Sequence, residues 1–377
     1  FFYPPRYMHL LELIPGEQTE RAIVDNLETL FTRYIGKGVV RAKDTVNFIA
    51  NRVGIFSMIA TIAYAERYQL TFDEVDALTG ALIGRPKSAT FRTMDVVGLD
   101  TMVHVLNTME ENLKECPWAS YYRSPTWLKQ LVKNGSFGQK TQCGIYKKEG
   151  KLIKVFDPQT AQYTESNVVL EQEVIKAMEI KDMASRFKLL QQSSTNQGKF
   201  LWACFRDLFH YSAYQLQEIA DTTRDVDLAL RWGFGWTEGP FEIWQQAGIN
   251  EISQLISTQS NDTLSDVPLP QWVGTCRNFY SEEGAFSPNE SCMKPRIDLP
   301  VYKRQLSYDT VIRESVAEVN SVFETDAVKL REYIDGIATL SFKSKANCIG
   351  EDVLDGINQA LDIAEKNFDA LILWQDD

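Results

Sequence analysis

Residues 72–100 read FDEVDALTGALIGRPKSATFRTMDVVGLD, and residues 224–250 read RDVDLALRWGFGWTEGPFEIWQQAGIN. Laid over one another, Val75 meets Val226 and Phe91 meets Phe241, and Gly98-Leu99 meets Gly248-Ile249, with a single deletion between them. Each copy reads as a helix, a Gly/Pro turn and a second helix, and each follows a long apolar helix. The spacing predicts two similar helical domains, so the fold class is mainly α with a duplication at its centre.

Working outward, residues 8–14 (MHLLELI) read as a strand ended by Pro15-Gly16. Ala22, Ile23, Leu27, Leu30, Phe31 and Tyr34 give a helical period over Glu17 to Tyr34, and Val39-Val40-Arg41 reads as a second short strand. Strand, helix, strand is the tail of a parallel α/β unit. Thr71-Phe72-Asp73-Glu74 is a capping box opening a helix over Phe72–Gly84, with a second helix closing at Gly98. A helix is expected around Val169–Leu190, after a hairpin-like turn at Asp157-Pro158. Pro268, Pro270, Pro288, Pro295 and Pro300 make residues 267–322 read as a linker. Beyond it, Ile337–Phe342 is a strand, Glu351–Lys366 an amphipathic helix and Ala370–Trp374 a strand.

The chain has 377 residues, enough for two or three domains of about 150 residues each. Its 39 Lys and Arg against 51 Asp and Glu give a net charge of −12 with no basic run, which excludes nucleic acid as a partner held through its phosphate backbone. Six cysteines without a C-x-x-C pair argue against a disulfide framework and a zinc ribbon, and fit a reducing, cytoplasmic setting. Val53 to Ala65 is uncharged but too short to cross a bilayer, so no membrane span is expected. The start, FFYPPRYMHLLELIPG, is no signal peptide, and both ends read as cut.

Candidates for chemistry are few. Of the three histidines, His104 and His210 sit in apolar helices and read as packed or partly exposed. His9 and Glu12 lie three apart on a strand and so point to opposite faces, which excludes a simple dyad. Glu12 is a carboxylate in an otherwise apolar run (LLELI), readable as a helix-cap partner, an edge charge or a functional group. Asn51 opens the buried helix and either contacts a ligand or is an ordinary polar residue of a first turn. No G-x-G-x-x-G, P-loop or G-x-S-x-G occurs, so the chain carries no complete active site by itself.

FFYPPRYMHLLELI (1–14) resembles the segment of 3-hydroxyacyl-CoA dehydrogenases that follows their catalytic histidine. KDTVNFIANR (43–52) resembles that family's junction into its helical C-terminal domain, and DVVGLD (95–100) its D-x-V-G-L-D turn. Asn134-Gly135, Gly138-Gln139-Lys140-Thr141 and Gly144-Ile145-Tyr146 resemble its closing motif. The resemblance implies NAD as cofactor and an acyl-CoA thioester as substrate. Glu12 matches the carboxylate that orients the histidine, Asn51 the asparagine near histidine and substrate, and Lys140 a lysine that reaches the cofactor. The histidine itself would fall just before Phe1. Tyr3 stands where the family commonly has a cofactor-contacting Asn, and Lys87-Ser88-Ala89-Thr90 replaces its M-G-P turn, which alters the substrate mouth. In the second copy Asn51 falls on Trp202, so that copy reads as a structural duplicate.

The tail from residue 321 resembles the opening of the enoyl-CoA hydratase/isomerase (crotonase) family, with Glu351 and Glu365 as helix-surface charges. The implied organisation is residues 1–44 as the tail of a Rossmann-type NAD-binding domain, 45–146 as the first helical domain, 147–196 as a connector, 197–292 as the duplicate, 293–320 as a linker and 321–377 as the start of a crotonase-like domain. The resemblance implies the central part of a multifunctional fatty-acid β-oxidation enzyme, expected to be inactive as a fragment. The competing reading is a helical dimerisation module, with the aromatic helix Leu201–Tyr214 as its interface and a homodimer as the product.

Overall fold

The computed structural model describes residues 1–2, 4–259, 262–303, 321–334 and 336–375; Tyr3, Asp335 and the 304–320 part of the linker lie outside the described residues. The chain divides into two units, one of residues 1–280 and 285–294, the other of 281–284 and 295–377.

The first unit opens with strand β1 (Leu10–Leu13), helix α1 (Arg21–Leu30) and strand β2 (Gly38–Arg41). The strands pair in parallel, Leu10 opposite Gly38 and Leu13 opposite Arg41, as the α/β reading expects. The helix is shorter than Glu17–Tyr34, because Thr19 caps a turn from Gly16 and the last residues, 31–35, widen into a π turn.

Helices α2 (Ala50–Arg67), α3 (Phe72–Thr79), α4 (Phe91–Val97), α5 (Leu99–Asn112) and α6 (Thr126–Lys133) follow. The Thr71–Glu74 capping box is present, a device that stabilises a helix start by about 1 kcal/mol. The helix foreseen over 72–84 ends at Thr79, where the chain turns at Gly80 into a short 3₁₀ turn. Strands β3 (Tyr146–Glu149), β4 (Leu152–Asp157) and β5 (Gln162–Glu165) then form an antiparallel sheet. The helix expected around 169–190 is two helices, α7 (Gln172–Glu179) and α8 (Met183–Gln191), because the Asp182 carboxylate accepts the Ser185 amide at 2.8 Å and starts a new helix there.

The second copy comprises α9 (Asn196–Ile219), α10 (Thr223–Phe234), α11 (Pro240–Ala247), α12 (Ile249–Thr258) and α13 (Gln271–Thr275), with strands β6 (Tyr280–Ser281), β7 (Gly284–Ser287) and β8 (Cys292–Lys294). The proline-rich stretch is therefore folded as far as residue 294. Pro270 precedes α13, Pro288 sits in the turn between β7 and β8, and Trp272, Phe279 and Phe286 are buried.

The duplication reaches into side-chain detail. Asp76 accepts the amides of Phe91 and Arg92 and the hydroxyl of Tyr146. Asp227 likewise accepts the amides of Phe241 and Glu242 and the hydroxyl of Tyr280. Asp95 takes the amides of Ile145 and Tyr146, and Gln245 those of Phe279 and Tyr280. The hairpin turns also correspond, Ala161 after Pro158 and Ser291 after Pro288 both having positive φ (56° and 55°).

The copies meet through α2 and α9. Arg52 bonds Gln215 near one end and Tyr64 bonds Asp207 near the other, so the helices run antiparallel. Phe56 stacks on Tyr211 between them, centroids 3.7 Å apart. Equivalent turns also touch: Gly84 and Gly235, both left-handed, face Thr237 and Pro86 respectively, and Arg85 lies over Trp236. Aromatic residues of α9, including Phe200, Phe205, Phe209 and Tyr211, are buried in this core, so the foreseen interface stripe is interior packing.

The second unit contains α14 (Pro300–Lys303), β9 (Ser321–Glu324), β10 (Val328–Ile334), β11 (Ile337–Phe342), α15 (Glu351–Asn367) and β12 (Ala370–Leu373). The sheet order is β12-β11-β10-β9; β10 is antiparallel to both neighbours, while β11 and β12 are parallel and joined through α15. Val353, Ala360 and Ala364 of α15 pack on Val328, Leu330, Ala338 and Leu340, and Glu351 and Glu365 are exposed.

Candidate functional site

Glu12 lies on β1 with 8% of its surface exposed, and its Oε1 accepts the amides of Ile49 at 3.0 Å and Ala50 at 2.9 Å. A helix leaves its first amides without intrahelical partners, and a carboxylate set there gains both the bonds and the positive end of the helix dipole. Burial raises the Glu12 pKa above its ordinary value, while the two amides pull it back down. Of the readings open for Glu12, the helix-cap partner is what the structure shows. One oxygen does this capping, and Oε2 has no hydrogen bond to any described residue.

Asn51 is half-buried in the first turn of α2, immediately after the amides that Glu12 holds. Its amide has no hydrogen-bond partner among the described residues. The structure therefore brings Glu12 and Asn51 to the same helix end. Its equivalent in the duplicate, Trp202, is buried, and its indole donates to Gln259 at 2.9 Å. His9 is exposed with its ring edge-on to Trp232, on the other side of β1 from Glu12; His104 is exposed, and His210 is buried edge-on to Trp118.

Lys140 lies apart from this pair. Its Nζ meets both oxygens of Asp100, at 2.5 and 2.6 Å, with roughly half of each side chain exposed. The D-x-V-G-L-D turn and the closing motif interlock around it. Asp95 holds the amides of Ile145 and Tyr146, and Leu99 donates to the Phe137 carbonyl. Gly138, at φ 96°, crosses so close to Asp95 that a Cβ would sit 2.2 Å from its carbonyl oxygen. Only glycine fits there.

Several charged groups had no local signal in the sequence. Burial pushes the carboxyls of Asp76 and Asp95 up to about 6, against the backbone amides each accepts. Asp227 and Glu242 are also raised by burial, and at Glu242 the nearby Asp227 adds to the shift. Asp76 and Asp227 cap the starts of α4 and α11 and have no open face toward a ligand. Arg85 is lowered to about 10 by burial and has no carboxylate partner among the described residues. Among the described residues no cluster of three or more His, Cys, Asp or Glu is placed to hold a metal, and no helix is long and apolar enough to cross a membrane.

Residues 1–45 match the family model for the 3-hydroxyacyl-CoA dehydrogenase NAD binding domain, and residues 48–148 match that for the 3-hydroxyacyl-CoA dehydrogenase C-terminal domain. A "Probable 3-hydroxyacyl-CoA dehydrogenase" of Bacillus subtilis (strain 168) is 34% identical over 99% of this chain and 46% of its own length. A "Putative fatty acid oxidation complex trifunctional enzyme" of Rickettsia felis is 26% identical over 99% of this chain and 47% of its own. A "Probable 3-hydroxyacyl-CoA dehydrogenase" of Deinococcus radiodurans is 40% identical over 39% of this chain and 42% of its own. The chain spans about half the length of the curated relatives it matches across nearly all its residues. The two family matches together cover residues 1–45 and 48–148 of the chain, the α/β segment and the first helical copy.

Proposed function

We propose that the chain is the central part of a multifunctional β-oxidation enzyme that oxidises a 3-hydroxyacyl-CoA to the 3-oxoacyl-CoA with NAD. The observation that carries this reading is the Glu12 carboxylate. One oxygen is fixed by the amides of Ile49 and Ala50, and the other is left for a partner that the described residues do not supply. A histidine just upstream of Phe1, which takes the proton of the 3-hydroxyl, is that partner. Glu12 orients its ring and stabilises the positive charge it gains, a role open to a carboxylate anchored by backbone rather than by another side chain. Asn51, beside the same helix end, has its amide available for a substrate oxygen.

NAD, when bound, accepts the hydride. Of this chain's residues, Lys140 fits a contact to it: its ammonium, paired with Asp100 and set over the Phe137 ring, is about half exposed on its turn. Six free cysteines agree with a reducing, cytoplasmic setting. The strands and helix after residue 321, with a parallel pair joined by α15, agree with the opening of a crotonase-like domain that continues downstream. The helical-module reading loses support because the α9 aromatics are interior.

NADH oxidation with acetoacetyl-CoA tests the proposal. This chain alone is expected to be inactive, and a chain extended upstream through the histidine and glycine-rich region active. An extended chain that is folded yet inactive across acyl lengths overturns it.

A further inference from the structure

Helix α10 of the duplicate ends in Trp232-Gly233-Phe234, and these three residues lie against the elements that carry Glu12 and Asn51. The Trp232 ring meets Gly38 of β2, where a Cβ would sit 2.4 Å from it, and stands edge-on to His9. A Cβ on Gly233 would come within 2.7 Å of the Leu10 side chain, 3.3 Å of Ala50 Cβ and 3.4 Å of the Phe2 ring. Glycine weakens a helix, and here the close approach to β1 requires it. Ala50 is the residue whose amide Glu12 holds.

Phe234 reaches further. Its ring packs on that of Phe2, with centroids 6.2 Å apart and planes tilted by 60°. The tip of the same ring rests on Gly54, where a Cβ would lie 2.3 Å from Cζ. Phe2 is the second residue after the place of the expected histidine, and Gly54 stands about one turn of α2 beyond Asn51. A single ring from the duplicate therefore touches both the segment that follows the histidine and the helix that presents the Asn51 amide. Packed aromatic contacts of this kind pass a displacement on rather than absorb it. In the overlay of the two copies, Trp232, Gly233 and Phe234 meet Ala81, Leu82 and Ile83. The ring thus belongs to the duplicate alone and is not a feature of the repeat.

We propose that Phe234 is a positioning residue of the dehydrogenase site, through which the duplicate sets the spacing between the histidine and Asn51. This rests on the dehydrogenase reading above. Glu12 orients the histidine ring, and the Phe2–Phe234–Gly54 contact fixes the backbone behind it relative to α2. A misplacement of about 1 Å between such groups costs up to about 10²-fold in rate.

The test uses the full-length enzyme with acetoacetyl-CoA and NADH. Phe234→Ala is expected to lower kcat at least about tenfold, with either KM changed by no more than about threefold. Phe234→Leu, which keeps part of the contact, should lower kcat about threefold. The kcat losses of Phe2→Ala and Phe234→Ala should fall short of additive when combined, because the two rings act as a unit. Phe241→Leu serves as the control: this fully buried ring of the same copy packs on Trp244 and Phe279, and its loss should lower stability and leave kcat unchanged. A folded Phe234→Ala enzyme with wild-type kcat overturns the proposal, as do additive losses with Phe2→Ala or an equal fall in kcat in Phe241→Leu. If Phe234→Ala does not fold, Phe234→Leu decides, and an unchanged kcat there overturns it. Wild-type turnover separates the two readings: its absence overturns the dehydrogenase assignment itself, whereas an active enzyme indifferent to Phe234 overturns only the positioning role.

Discussion

The Glu12 carboxylate accepts the Ala50 amide at 2.9 Å, tying the strand that follows the site of the expected histidine to the first turn of the helix that carries Asn51. This bond joins the α/β tail to the first helical copy and has a stability consequence of its own. Glu12→Ala leaves two buried amides without an acceptor and is expected to destabilise the first unit by about 1–3 kcal/mol. Glu12→Gln keeps a carbonyl oxygen for them and should cost less than half as much. Urea unfolding of this chain measures both, and equal losses would argue against the capping bond.

The buried carboxyls of Asp76 and Asp95 predict an unusual pH response. Both are raised to about 6 from an ordinary value of 3.8, with burial as the main cause. On raising the pH, the unfolded chain gives up these protons near pH 4, while the folded chain keeps them until about pH 6. The stability they contribute is complete below pH 4 and is lost as pH rises through 6, by up to about 3 kcal/mol per group. Stability of this chain should therefore fall between pH 4.5 and 7, and Asp76→Asn should flatten part of that slope. An unchanged slope in the variant contradicts the assignment.

Gly54 lets the second copy seat on the first. A Cβ there would lie 2.3 Å from the Phe234 ring, so Gly54→Ala should cost about 1–3 kcal/mol through overpacking. Combined with Phe234→Leu the two losses should fall short of additive, because the smaller side chain vacates the contested space. Additive losses in a double-mutant cycle would place the strain elsewhere.

Lys140 separates structure from function. Its pair with Asp100 is exposed, so Lys140→Met should change stability by no more than about 1 kcal/mol. In the extended enzyme the same substitution should raise the KM for NADH severalfold while leaving that for acetoacetyl-CoA nearly unchanged. A uniform loss in both would assign Lys140 to general architecture.

Much of the fold was legible because its signals are local. The alternation over 8–14, the Thr71–Glu74 box and the match of Val75 to Val226 each lie within a few residues. What stayed hidden depends on distant partners. Glu12 could not be told from an edge charge because its acceptor role is fulfilled 37 residues later. The prolines at 270 and 288 marked turns correctly, yet the stretch is folded as far as residue 294, because Trp272, Phe279 and Phe286 are buried within the second copy. Arg85 gave no sign at all, since the Trp236 ring it stacks on comes from the other repeat. Of the three site candidates, Glu12 and Asn51 share one helix end, and Lys140 stands apart on its own turn.

The most direct measurement is kcat for acetoacetyl-CoA reduction by the extended chain and its Glu12→Gln variant, with both melting curves recorded beside it. A fall in kcat of about 10²-fold or more is expected, with the variant still folded, because the amide keeps the cap but loses the charge that stabilises the histidine. A folded Glu12→Gln enzyme with kcat within twofold of wild type would leave Glu12 as a helix cap and nothing more.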